Sequence, residues 1–203
     1  MSNVLIGIIG VILFIGLALA GALFLGPRFQ QATSNSDAAA VMTSIKQAID
    51  GAEMWRIQEG RTYIPSTNTA FLTPGYLKSV PVNPAPAARG TTAPSPYFWS
   101  VHFDNNIHLY DAPEQQYAAK FAIAVIGAKE DTKARDICEA ISRTYGTPTI
   151  PDFSTNSDPQ PTAQAGCFLG YRLASTDAEA SAAYVAYQKL APTSQSIVQP
   201  SGF

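Results

Sequence analysis

The sequence contains few of the residues that catalytic and nucleic-acid-binding sites require. Its 13 Lys and Arg are outnumbered by 15 Asp and Glu, and a net charge of −2 indicates no basic surface for nucleic acid. Cys138 and Cys167 have no histidine near them in the sequence, so they do not complete a tetrahedral metal site. No phosphate-binding loop or dinucleotide fingerprint occurs either. We therefore expect no enzyme, no metal and no cofactor.

Charge is also missing from the N-terminal segment, where Arg28 is the first charged residue. Residues 4–25 form a run of 22 residues without charge, amide or hydroxyl. As a helix this run would be about 33 Å long, close to the hydrocarbon thickness of a bilayer. A cleaved signal peptide is the alternative, with Ala18-Leu19-Ala20 as its cleavage site, but its apolar core is usually only about 7–15 residues long. We expect an anchoring helix.

Gly26 and Pro27 end the apolar run. Because proline lacks the N–H and disfavours a helical residue before it, we predict a helix break there, as a kink or local melting. A helical pattern then continues to about Gly60. Its apolar residues recur every three or four positions, which places them on one face for packing against the rest of the protein. The members of this packing stripe are Val41, Ile45, Ala48, Ala52 and Trp55.

Residues 61–96 contain seven prolines, which exclude regular interior strands and helices. We predict a long connecting loop that is pinned to the domain by apolar side chains. Those side chains are Phe71, Leu72, Tyr76, Leu77 and Val80.

Residues 97–192 are predicted to form strands and helices, followed by a mobile tail at 193–203. Alternating apolar and polar residues in 97–110 indicate a hairpin with a loop at 104–106. Residues 120–126 are predicted as a central strand and 130–145 as a helix. Residues 167–173 are predicted as another strand. Thr176 to Glu179 has capping-box spacing, so we predict an alanine-rich helix that continues to about Leu190.

The cysteines and histidines each allow two interpretations. In the oxidising compartment expected for an anchored extracytoplasmic domain, Cys138 and Cys167 would form a disulfide worth about 3–4 kcal/mol; two buried thiols are the alternative. His102 and His108 would face each other across the hairpin. A metal or acid-base pair is conceivable there, but solvated histidines are the better interpretation because no third ligand is evident.

Four features, in this order, resemble the type IV pilin superfamily and its type IVb branch in particular. The first is the apolar helix that continues through Gly26-Pro27 into an amphipathic helix. The second is the helix exit WRIQEGRTY at 55–63, and the third is the segment YLKSVPVNP at 76–84. The fourth is KFAIAVI at 120–126 followed by a helix with Cys138, similar to type IVb pilins such as the toxin-coregulated pilin.

The resemblance implies an α+β, pilin-like fold, in which a long N-terminal α-helix packs on an antiparallel β-sheet and a disulfide closes the C-terminal region. It divides the chain into a membrane or filament-core helix at 1–27, an amphipathic continuation at 28–60 and a globular head at 61–203. In the head, 61–96 would be the loop that follows the helix, 97–192 the sheet with helices and 193–203 the tail.

The function implied is that of a structural subunit of an extracellular filament, which polymerises through its N-terminal helix. Its partners would be copies of itself, the inner membrane before assembly, and pilus or secretion machinery; the assembled filament would lie on the cell surface. The assembly helix would use Val4, Leu5, Ile8, Ile9, Ile12, Leu13, Ile15, Leu17, Leu19, Leu23 and Leu25.

Pilins are cut after a glycine by a prepilin peptidase, which makes Gly7 and Gly10 candidate processing positions. The sequence departs from the family pattern, since it shows no basic leader and no acidic residue before Asp37. Family members carry a glutamate in the first turn of the mature helix. The alternative function is that of a single-pass anchored binding or scaffold domain in the periplasm or outside the cell.

Overall fold

The longest element of the protein is its first helix, α1, which runs from Ser2 to Gln58. The structure is a computed structural model that describes residues 2–67, 69–85, 101–104, 119–147, 149–153, 161–170 and 182–190. α1 is helical through Gly26 and Pro27 and does not melt there, and the other predicted form of the helix break, a kink, stays a prediction. Proline removes one hydrogen bond but fixes φ near the helical value, and the hydrogen bonds on either side hold the backbone helical.

A glycine turn ends α1 near the position predicted from the sequence. Gly60 has a φ of 61°. The N–H of Arg61 donates to the carbonyl oxygen of Arg56 over 2.8 Å, and that of Gly60 donates to Ile57 over 3.3 Å. This pair of bonds is the Schellman arrangement, and glycine adopts the left-handed conformation that it needs without a Cβ clash.

The predicted helix at 130–145 is confirmed as α2, Thr132–Thr144. At its start, the Asp131 carboxylate accepts hydrogen bonds from the N–H groups of Lys133 and Ala134, at 2.9 and 3.3 Å. At its end, Gly146 has a φ of 75°. Both ends of α2 are therefore satisfied by local chemistry that is visible in the sequence.

Within the described residues, four antiparallel strands form one sheet in the order β1-β2-β4-β3. They are β1, His102–Asp104; β2, Phe121–Ala128; β3, Ala165–Gly170; and β4, Ala183–Lys189. The two strands predicted at 120–126 and 167–173 are confirmed as β2 and β3. The prediction that β2 is central is also correct, since β1 and β4 lie on its two sides.

The helix predicted from 176 to 190 is wrong, because 183–189 forms β4 in the middle of the sheet. Tyr184 and Ala186 contribute to the core on one side of the sheet, and Val185 and Tyr187 to the cluster on the other. Packing on both faces favours tyrosine and valine in a strand and outweighs the helix propensity of the alanines. The predicted capping box at 176–179 lies outside the described residues.

The main core lies between the helices and one face of the sheet. It combines Val41 and Ile45 of α1 with Ile137 and Ile141 of α2, each no more than 1% exposed. Sheet residues such as Ile126 close this core. A second cluster on the opposite face contains Phe121, Ile123, Val125, Phe168, Ala183, Val185 and Tyr187.

The loop after α1 packs on the head as predicted, as far as residue 85. Leu72, in a 3-10 helix at Thr69–Leu72, is fully buried. Leu77 lies so close to α1 that a Cβ on Gly51 would be 2.8 Å from it. Asn83 is 1% exposed; its side-chain nitrogen donates to the Val125 carbonyl, and its oxygen accepts from the N–H of Ala85.

Some predictions fall outside the described residues. These are most of the hairpin at 97–110, the loop at 86–96 and the tail at 193–203; of the hairpin, only 101–104 is described. The coarse fold is confirmed as α+β, with an antiparallel sheet and a disulfide between Cys138 and Cys167.

Candidate functional site

The N-terminal half of α1 exposes a series of large apolar side chains, which we call the apolar surface of α1. Their exposed fractions run from 50% for Ile9 to 76% for Leu23. The described members are Ile8, Ile9, Val11, Ile12, Leu13, Phe14, Ile15, Leu17, Leu19 and Leu23. Contiguous exposed apolar area of this kind marks an interaction surface, because water is a poor solvent for it.

Small residues within this surface also face open space. A Cβ added to Gly7, Gly10 or Gly16 would meet no atom within 4 Å beyond the helix's own backbone. Glycines at a helix surface let another helix approach closely. The segment therefore has room for a packing partner along its length.

The structure describes most of the predicted assembly residues. The side chains of Val4, Leu5, Leu25 and Pro27 lie outside the described residues, although the backbone there is helical. Among the side chains that the structure describes, no helix is both long and apolar enough to cross a membrane. Processing after Gly7 or Gly10 stays a prediction.

The C-terminal half of α1 is packed against the head. Val41, Ile45, Ala48 and Ala52 are all 0% exposed, so these members of the predicted stripe lie in the core. Trp55 is half-buried and packs edge-on against Phe71, with ring centroids 5.0 Å apart. One helix thus has two different surroundings, and the change comes between Phe29, which is 68% exposed, and the buried Ser34.

Both edges of the sheet carry backbone hydrogen bonds from connecting segments. On β1, the N–H of Phe103 donates to the Thr67 carbonyl over 2.9 Å. On β3, Leu169 bonds to Pro151 over 2.9 Å and to Phe153 over 2.8 Å. Edge strands that are covered in this way are poor templates for another chain's strand.

The exit of α1 is held by polar and aromatic contacts. The Tyr76 hydroxyl donates to Glu59 over 2.6 Å, and this hydrogen bond raises the pKa of Tyr76 above its ordinary value. The guanidinium of Arg61 lies over the Trp55 ring, 5.9 Å from its centroid. These contacts fix the direction in which the chain leaves the helix.

The disulfide between Cys138 and Cys167 joins α2 to β3, with Cα atoms 5.3 Å apart. Both cysteines are buried, at 0% and 1% exposure. The bond therefore lies in the core, between a helix and an edge strand, and has the structural role predicted for it.

The histidine pair is only partly described, since His108 lies outside the described residues. His102 is 5% exposed, which is contrary to the prediction of a solvated side chain. Within the described ranges, no group of three His, Cys, Asp or Glu is placed to hold a metal ion. Tyr187 is an aromatic of the second cluster, and burial raises its pKa.

Comparisons with protein-family models, curated proteins and solved structures found no match. The resemblance to pilins therefore depends on the motifs of the sequence.

Sequence reasoning missed two grooves that lie along the packed half of α1. One, the neck groove, has a volume of about 690 Å³ and lies between α1 and the C-terminal end of α2. The other, the loop groove, has a volume of about 490 Å³ and lies between α1 and the loop at 76–82. Neither could be found from α1 alone, because each needs a second element brought against it by the fold.

Proposed function

We propose that this protein is a structural subunit of a type IV pilus-like filament that polymerises through the apolar surface of α1. The observation that carries the proposal is the division of this helix into a packed half and an exposed half. Ile45 is 0% exposed, whereas Ile12 is 63% exposed. Burial of a large apolar side chain contributes roughly 1.5–3 kcal/mol, so a partner that covers ten such side chains gains a large driving force.

The mode of assembly follows from the same features. The sheet edges are occupied at Phe103 and Leu169 by hydrogen bonds from connecting segments. Addition of a strand from another subunit is less favourable at these two positions, which favours contact between helices. Parallel helices that pack side by side use different faces of each subunit, which is the heterologous contact that builds an open helical polymer.

Before assembly, the proposal locates the subunit in the inner membrane, where a helix satisfies its backbone hydrogen bonds internally. After transfer by pilus or secretion machinery, the helices would form the filament core and the heads would face water at the cell surface. The motifs at 55–63 and 76–84 support this part of the proposal, since pilins resemble them. No cofactor enters the proposed function.

A charge on the apolar surface tests the proposal. Ile12→Glu places a carboxylate where the filament core would be dry, and unpaired burial of a charge is strongly unfavourable. We expect electron microscopy to show filaments from the wild-type chain and none from this variant. Ile57→Glu is the matched control, because Ile57 is 71% exposed on the same helix but lies outside the apolar surface. It should assemble normally.

Circular dichroism of the dispersed protein must show that both variants have folded heads. Dispersed wild-type subunits that never form filaments in detergent-free buffer would contradict the proposal. That result would favour the alternative, an anchored binding or scaffold domain.

A further inference from the structure

The neck groove is lined by cations and hydrogen-bonding groups and by no acid. Lys46 of α1 and Arg143 of α2 line it, together with the amide side chains of Gln31, Asn35 and Gln188. Its volume of about 690 Å³ is in the usual range for the binding site of a small molecule. The lining therefore favours an anion that also forms several hydrogen bonds.

Both cations of the groove lack an ion-pair partner within the part of the chain that the structure describes. Glu139, one turn before Arg143 on α2, pairs instead with Arg135 over 3.0 Å. The Nε of Arg143 donates to the backbone carbonyl of Glu139 over 3.3 Å, which leaves the Nη groups for another acceptor. Lys46 is exposed. Because Lys and Arg side chains are hydrogen-bond donors only, a molecule that binds both supplies anionic acceptors.

Gln188 is a polar residue on the side of β4 that faces the helices. Tyr184 and Ala186 precede it on that side and belong to the main core, since alternate residues of a strand point to the same face. Gln188 is half-buried, and no described residue forms a hydrogen bond with its side chain. A polar side chain at such a position is informative, because core-facing positions are normally apolar.

The threonines of the groove present acceptors to a ligand. The hydroxyl of Thr43 donates to the Ala39 carbonyl over 2.7 Å, and that of Thr144 donates to the Ala140 carbonyl over 2.9 Å. Each hydroxyl hydrogen is thus used within a helix, and the oxygen lone pairs remain for a donor from outside. Together with amides that donate and accept, these acceptors suit a molecule with several hydroxyl groups.

The apolar floor of the groove offers little area to an acyl chain. Ala38, Met42 and Ile141 are 5%, 8% and 1% exposed, so covering them removes little apolar surface from water. Tyr145 is 43% exposed and also lines the groove. A sugar ring has apolar C–H faces and hydroxyl groups at its edge, which match this mixture of small apolar and polar lining better than a fatty acid does.

We propose that the neck groove binds an acidic oligosaccharide whose sugar rings carry carboxylates, as uronic acids do. Arg143 and Lys46 bind the carboxylates, and the amides and threonines bind the hydroxyl groups. From Gln31 to Lys46 the groove follows α1 for about 22 Å, at 1.5 Å per residue, which is room for several sugar rings. The inference goes beyond the proposed function, because the site lies within one subunit and does not require assembly.

Isothermal titration calorimetry of the full chain, dispersed in detergent, tests the site with a short oligogalacturonide. The wild-type protein should bind it, and the affinity should fall as salt is added, since charge pairs at the surface are screened. The methyl ester of the same oligosaccharide has the same rings without the charge. It should bind at least tenfold more weakly.

Variants of the lining residues test which groups bind the ligand. Lys46→Gln and Arg143→Gln should each lower the affinity for oligogalacturonide by about tenfold, as the loss of one charge-assisted hydrogen bond would. Gln188→Ala changes no charge and should lower it by about fivefold. Lys129→Gln is the matched control, because Lys129 is exposed and does not line the groove, and it should bind as the wild type does. Circular dichroism must show that all four variants have folded heads.

The remaining outcomes overturn the proposal. Absence of binding by the wild-type chain, or an equal loss from Lys129→Gln, would mean that the groove holds no specific anion site. Oligoglutamate or palmitate that binds as tightly as oligogalacturonide would identify an acidic peptide or a fatty acid as the ligand instead. None of these results bears on filament formation through the apolar surface of α1, which electron microscopy of the wild-type chain measures separately.

Discussion

At the scale of single residues, packing on the outer face of the sheet determines what the backbone tolerates. The Phe168 ring is 0% exposed, and its centroid lies 5.7 Å from that of Phe153 and 5.6 Å from that of Tyr187. A Cβ on Gly170 would be 2.5 Å from this ring. Because the ring has no room to move, we expect Gly170→Ala to lower the free energy of unfolding by about 1–3 kcal/mol in urea titrations.

Gly75→Ala is the control for this substitution. A Cβ at Gly75 meets nothing within 4 Å, so the change in stability should stay within about 0.5 kcal/mol. An effect of Gly170→Ala as small as that of Gly75→Ala would show that the Phe168 ring moves aside for the added methyl group.

Asn83 marks the limit of sequence reasoning at this scale. Its position between prolines is typical of an exposed turn residue, yet it is 1% exposed and donates to the Val125 carbonyl. The pairing of β2 with β4 shifts register between Val125 and Gly127, close to this contact. This hydrogen bond joins residues that are 42 positions apart in the sequence. It forms only in the complete fold, so no local sequence pattern predicts it.

At the scale of elements, the disulfide stabilises the head by joining α2 to β3. It closes a separation of 29 residues between Cys138 and Cys167. In the chain-entropy description, a loop of this length contributes about 3–4 kcal/mol by restricting the unfolded chain. We expect Cys138→Ala/Cys167→Ala to lower the free energy of unfolding by at least this amount, measured by urea denaturation.

Reductant supplies the control for the disulfide. It should lower the urea midpoint of the wild-type protein and leave that of the double variant unchanged. A reductant effect of similar size in both proteins would mean that the bond is not what stabilises the head.

Elements with strong local signals were predicted correctly, and β4 was not. The capping aspartate and terminal glycine of α2 act within one turn, so its bounds can be read from the sequence. In β4 the alanines at 183 and 186 indicate a helix when read alone. The strand forms because β2 and β3 lie on either side of it, which is tertiary information.

At the scale of the whole molecule, the sequence predicted the class of fold but not the order of the strands. β4, the last of the described strands, lies between β2 and β3 and not at an edge of the sheet. The side chains of β4 pack on both faces of the sheet, so its place depends on tertiary contacts. The long helix was predictable from the sequence. Residues 4–25 are apolar on every side of the helix, and further along the chain the apolar residues lie on one side only.

The division of α1 leads to one further prediction, in which two isoleucines of the same helix have separate roles. In detergent-dispersed protein, Ile45→Ala should lower the free energy of unfolding by about 2–4 kcal/mol, because it opens a cavity in the core. Ile12→Ala should change that free energy by no more than about 0.5 kcal/mol, since Ile12 is 63% exposed. Tryptophan fluorescence can follow the transition, because Trp55 packs on Phe71. Filament yield should be the quantity that Ile12→Ala lowers. Equal losses of stability from both substitutions would mean that the N-terminal half of α1 serves folding, and that assembly through it is the wrong interpretation.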